Sequence, residues 1–95
     1  MLNSQKKQFL RHSLEQDYVV LTDVVVETVA DTKSDMLMLE MSGKRDAIQP
    51  QDKQELLALK KAYSNVYKTN PEQAVNIVER IFELNEKYDK LRMQL

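Results

Sequence analysis

The most regular alternation of apolar and polar positions lies toward the end of the chain. Ile77, Ile81, Leu84, Tyr88, Leu91 and Leu95 recur at spacings of 4, 3, 4, 3 and 4. This is a heptad seam, the pattern of a helix that packs lengthwise on another helix. Asn70-Pro71-Glu72-Gln73 precedes it. Asn70 suits the N-cap, and Pro71 suits the first helical position, where its missing N–H has no helical partner to lose. Gln73 has the spacing to reach back to the cap. A helix over 71–94 is predicted.

Upstream, Leu56, Leu59, Tyr63 and Val66 repeat at 3, 4 and 3, with Ala62 beside them. Asp52 and Glu55 have capping-box spacing, and Pro50 opposes an earlier helical start. These features predict a helix over 52–68. Its short connection to the next helix implies an antiparallel αα-hairpin.

The first half carries a longer stripe. Leu10, Leu14, Tyr18, Leu21, Val25 and Val29 follow a 3.6-residue period, which continues more weakly through Thr32 to Met36 and Leu39. A helix over 4–41 is predicted, with a kink at 31–34, where Ser34 can cap a restart. The run Tyr18–Val26 is rich in β-branched residues and favours a strand locally. As a strand it would be apolar on both faces, and no other segment resembles a strand that would lie beside it. The helical reading is preferred. Gly43, the only glycine, follows the last apolar residue, where a left-handed C-cap is wanted. Residues 43–51 read as the main loop.

The predicted fold is all-α: a small three-helix bundle with a long N-terminal helix on an αα-hairpin and coiled-coil-like seams. The predicted core comprises Leu14, Leu21, Val25, Leu56, Leu59, Tyr63, Val66, Ile77, Ile81, Leu84, Tyr88 and Leu91. A chain of 95 residues forms one small domain with a thin core. Small helical proteins often compensate by association, so a homodimer is favoured over a monomer.

Net charge is −1, which gives no overall attraction to nucleic acid or anionic membrane. The distribution is uneven. Residues 1–13 carry Lys6, Lys7 and Arg11 and no acid, whereas residues 14–40 carry seven acidic side chains against Lys33 alone. Residues 44–68 carry six basic and three acidic side chains. An acidic first helix and a basic second one suggest complementarity that sets register. The chain has no cysteine, so thiolate chemistry is excluded. No signal-peptide pattern or membrane-length apolar run is seen, and a cytoplasmic location is expected.

No catalytic, metal or cofactor motif stands out. His12 is the only histidine and has no partner at ligand spacing. The carboxylates fall on solvent-facing positions suited to i,i+4 pairing, as for Glu83–Lys87 and Glu86–Lys90. There is no phosphate loop, serine elbow or HExxH sequence. No enzymatic activity is expected.

Two features point to association instead. Met36–Met41 holds three methionines and two leucines in six residues, covering nearly the whole helix surface with adaptable apolar groups. Val19, Val20, Val24 and Val26 flank the main stripe, so the first helix is apolar around more than half its circumference. A hairpin covers only one side of such a helix. The candidate contact surface is therefore Val19, Val20, Val24, Val26, Met38 and Met41. The partner is another protein or a second copy of the chain.

The expected function is a non-enzymatic helical interaction module, such as an adaptor, a regulator or a secretion-type chaperone. The build is similar in class to small all-helical export chaperones and helical immunity proteins, with no motif shared residue by residue. The alternative is a homo-oligomeric scaffold or packaging component. A weaker alternative is nucleic-acid binding through Lys53, Lys60 and Lys61 on the basic helix.

Overall fold

The computed structural model describes His12 and residues 18–95, with side chains described at His12 and from Leu21 onward. Among these residues the chain is all-helical: α1 spans Tyr18–Met41, α2 Pro50–Val66 and α3 Pro71–Met93, with a short 3-10 turn at Arg45–Ala47. The three helices pack together. The β-branched run adopts the helical form because α3 supplies an apolar face for Leu21, Val25 and Val29 to pack against.

α1 runs unbroken through 31–34, so no new helix starts at Ser34. The polar residues at that point find partners without breaking the helix. Thr32 is fully buried, and its hydroxyl proton is shared between the Thr28 carbonyl at 2.8 Å and Asn85 Oδ1 at 3.0 Å. Asp35 reaches Arg92 Nε at 2.6 Å. Ser34 remains exposed within the helix rather than capping a new one.

α1 ends in a Schellman motif. Gly43 takes φ +78°, Lys44 N–H donates to the Leu39 carbonyl at 2.8 Å, and Gly43 N–H donates to that of Glu40 at 3.2 Å. The following loop is not wholly solvent-facing. Ile48 is buried in the core, which the sequence reading missed.

α2 begins two residues before the predicted start, and Asp52 is not its cap. Gln49 occupies that position without a side-chain cap bond. Pro50 is already preset for the first helical turn, so the helix starts there. Asp52 then lies inside the first turn and turns inward. It accepts from the Tyr88 hydroxyl at 2.6 Å and from Lys87 Nζ at 2.7 Å. Tyr88 Oη in turn accepts the Gln49 N–H at 3.1 Å.

α3 is capped as its sequence predicts. Asn70 Oδ1 accepts from Gln73 N–H at 3.2 Å, while Gln73 Oε1 takes the Asn70 side-chain amide at 3.3 Å. The Asn70 backbone N–H is engaged by the Val66 carbonyl at 2.8 Å.

α3 is also the central element. It packs on both other helices, while α1 and α2 touch one another much less. A helix with two neighbours needs an apolar face wider than one heptad seam. Ala74, Val75 and Val78 are therefore buried beside Ile77, Ile81, Leu84 and Tyr88. Met36 and Leu39 extend the core along α1. Leu59, Val66 and Leu91 are only partly buried, Leu95 is exposed, and Leu14 lies outside the described residues.

The ion pairs follow the same geometry. Arg80 grips Glu55 with two bonds of 2.8 Å and also holds Glu83 at 3.1 Å. Lys87 goes to Asp52, so the predicted Glu83–Lys87 pair does not form. Charge complementarity is thus centred on α3. Between acidic α1 and basic α2, the only ion pair among the described residues joins Glu40 and Lys53 at 3.8 Å.

Candidate functional site

Because α1 and α2 both lean on α3, they stand apart from each other over part of their length. Among the described residues, polar contacts join the two helix bodies at Thr22–Tyr63 and at Glu40–Lys53. Near the start of α1, the Thr22 and Tyr63 hydroxyls lie 3.1 Å apart. Near its end, Glu40 meets Lys53. Beside this second contact lies an open groove of about 400 Å³ formed by α1 and α2 alone. This falls within the ~300–1,000 Å³ typical of binding clefts.

Met36 and Leu56, both core residues, form its floor, and Leu37 and Leu57 stand on its walls. The two wall leucines are each 55% exposed. Their positions explain why. Leu37 follows Met36, and Leu57 follows Leu56, so each is rotated about 100° from a buried neighbour. Lys33, Lys53 and Glu40 border the apolar surface. Glu40 is already shared between Arg45 at 3.6 Å and Lys53. Lys33 makes no ion pair or hydrogen bond among the described residues.

A second concavity of about 380 Å³ lies between α1 and α3 and is mainly polar. Asp31, Asp35 and Asp89 gather around Arg92 there. Burial is the strongest influence on Asp35 and raises its carboxyl above the ordinary value, although Arg92 opposes it. Arg92 thus answers a local surplus of acid, and its charge is taken up within the protein by Asp35 and Asp89.

The residues singled out by sequence do not form one patch. Val26 shares a flank of α1 with Lys33 and Leu37, at i, i+7 and i+11. Val24 shares the other flank with Asp31, Asp35 and Met38, toward the polar concavity. Val24, Val26, Met38 and Met41 are all exposed, and Met41 is the most open at 79%. The side chains of Val19 and Val20 lie outside the described residues. Leu37 belongs to the methionine-rich segment already noted. Leu57 was missed; its signal is the Leu56-Leu57 doublet, in which only the first leucine fits the core spacing.

Lys53 and Lys61 are exposed and Lys60 is half-buried. Neither Lys60 nor Lys61 pairs with the acids of α1 among the described residues. His12 is helical and exposed. No described helix is long and apolar enough to cross a membrane. Comparison of the chain with protein-family models, with curated proteins and with solved structures returns no match, so its own residues carry the functional reading.

Proposed function

We propose that this protein is a non-enzymatic helical interaction module that holds a segment of another protein in the groove between α1 and α2. The observation that carries this reading is the pair Leu37 and Leu57, which stand exposed over a floor of Met36 and Leu56. A ligand lying there would cover apolar surface that neither helix covers itself, and burial of such surface drives association. Adaptor, regulatory and chaperone roles all use a surface of this kind.

The test is a selection of helical peptides from an unbiased library on the wild-type protein, whose survivors are then measured on Leu57→Glu and on Leu37→Glu. Both leucines are exposed, so the substitution leaves the fold intact, as circular dichroism would verify. Binders that are retained by wild type and lost with Leu57→Glu and Leu37→Glu support the reading. Binders indifferent to both substitutions overturn it.

A second reading is favoured by a separate observation. Val24 and Met38 stay exposed on the flank of α1 turned away from the groove, which suits a homo-oligomeric scaffold or packaging component. Light scattering over a wide concentration range distinguishes the two. A stable dimer lost with Val24→Glu and retained with Leu57→Glu would favour assembly.

A further inference from the structure

We propose that the segment held in the α1/α2 groove is an acidic amphipathic helix with two bulky apolar side chains one turn apart. This rests on the groove being a docking site and adds the chemistry of its occupant. The walls contributed by residues 33–40 of α1 run ~10 Å along its axis, about two helical turns. That length accepts side chains at i and i+4 of a docked helix, with Leu37 and Leu57 on either side of them. Such a helix lies across α1 and α2 from α3 and completes a four-helix arrangement.

Charge selects the sign of the occupant. Lys33 has no partner among the described residues, and Lys53 holds Glu40 only loosely at 3.8 Å. Lys53, Leu57 and Lys60 share one flank of α2, at i, i+4 and i+7. The one acid at the rim, Glu40, is already divided between Arg45 and Lys53. An apolar groove bordered by available lysines attracts acidic residues and repels basic ones.

The same rule excludes a nearer candidate. Residues 1–13 of the chain carry three basic side chains and no acidic one.

The experiment uses three labelled synthetic helical peptides and fluorescence anisotropy with the full chain. The first has leucines at i and i+4 flanked by glutamates. The second replaces every glutamate with lysine, and the third replaces the leucines with serine. The first peptide is expected to bind about tenfold or more tighter than the second at low salt, with the preference shrinking as salt rises. The third should not bind. Lys33→Glu combined with Lys53→Glu should abolish or reverse the preference, and Leu57→Glu should abolish binding itself. If both leucine peptides bind equally and both are lost with Leu57→Glu, docking in the groove survives and the acidic occupant is overturned. If binding of the acidic peptide ignores Leu57→Glu, or if it does not bind at all, the inference also fails. The library selection then decides the docking reading separately.

Discussion

The Tyr88 hydroxyl donates to the Asp52 carboxylate across 2.6 Å, joining the C-terminal half of α3 to the first turn of α2. Both residues are buried. The same hydroxyl accepts the Gln49 N–H at 3.1 Å, so the tyrosine supplies what a capping side chain would otherwise provide. Burial, together with donation to Asp52, pushes the Tyr88 phenol up to about 12. Tyr88→Phe keeps the ring packing and removes both bonds. It is predicted to destabilise the fold by about 1–3 kcal/mol, the range for leaving buried polar groups unpaired. Urea denaturation measures this. Paired with Asp52→Ala, the two losses should fall well short of additive, because both substitutions remove the same bond. Simple additivity would mean that the contact contributes nothing of its own.

Asp52 and Asp35 bend the pH profile in opposite directions. Burial is the largest influence on Asp52 and raises its carboxyl, but hydrogen bonds from Lys87 and Tyr88 outweigh it and leave the group below its ordinary value. The fold therefore binds that proton less readily than the unfolded chain. The contribution of Asp52 is complete above the ordinary carboxylate range and is lost as pH falls through the lowered folded value. For Asp35 burial prevails over Arg92, so the folded value is raised. Its ionisation lowers stability as pH rises from the ordinary value through the raised one. Asp52→Asn should flatten the acid limb and be less stable near neutrality. Asp35→Asn should be at least as stable as wild type near pH 7, with its advantage disappearing in acid. Urea melts from about pH 2.5 to 7 give both curves. A neutral-pH loss in Asp35→Asn larger than about 1 kcal/mol would show that the Arg92 pair outweighs the desolvation of Asp35.

Helix identity and the two ends marked by Asn70–Pro71 and Gly43 were the legible part of this chain. The cap at Asn70, the proline at position 71 and the glycine at position 43 each act through local backbone chemistry, which sequence spacing reports directly. Two other things depend on neighbours in space. A single heptad seam on α3 leaves out Val75 and Val78, because a helix with two partners buries a second edge that a heptad count does not register. Spacing fits Asp52 to a cap, whereas its inward role is set by Tyr88 and Lys87, 36 and 35 positions away. The candidate site was legible only in kind. Excess apolar surface on α1 was visible, but the groove arises from the way α3 separates α1 and α2, and half of it comes from Leu57 on a helix whose pattern looked complete.

Gly43 offers a test of backbone conformation free of packing. Its φ of +78° is one that L side chains rarely adopt, and an added Cβ would meet no atom within 4 Å. Gly43→Ala is therefore predicted to destabilise by about 1–2 kcal/mol through conformational strain alone. Gly43→Asn should lose less, since asparagine tolerates this region better. Thermal melts of the two variants decide it. Equal and negligible losses would indicate that the end of α1 rearranges freely.

Leu56 and Leu57 separate folding from recognition at adjacent positions. Leu56 is 1% exposed and packs in the core, whereas Leu57 is 55% exposed. Leu56→Ala should cost about 2–5 kcal/mol, the transfer term plus the cavity left behind. Leu57→Ala removes little buried surface and is expected to change stability by no more than about 0.5 kcal/mol. Binding of a groove ligand should follow the reverse order once both proteins are compared under fully folded conditions, because the exposed Leu57 wall offers a ligand far more surface than the Leu56 floor. Urea titration and peptide anisotropy on the same two variants measure both quantities. A large stability loss in Leu57→Ala would mean that this side chain completes the protein's own core, and the groove would then lose one of its two apolar walls as a binding surface.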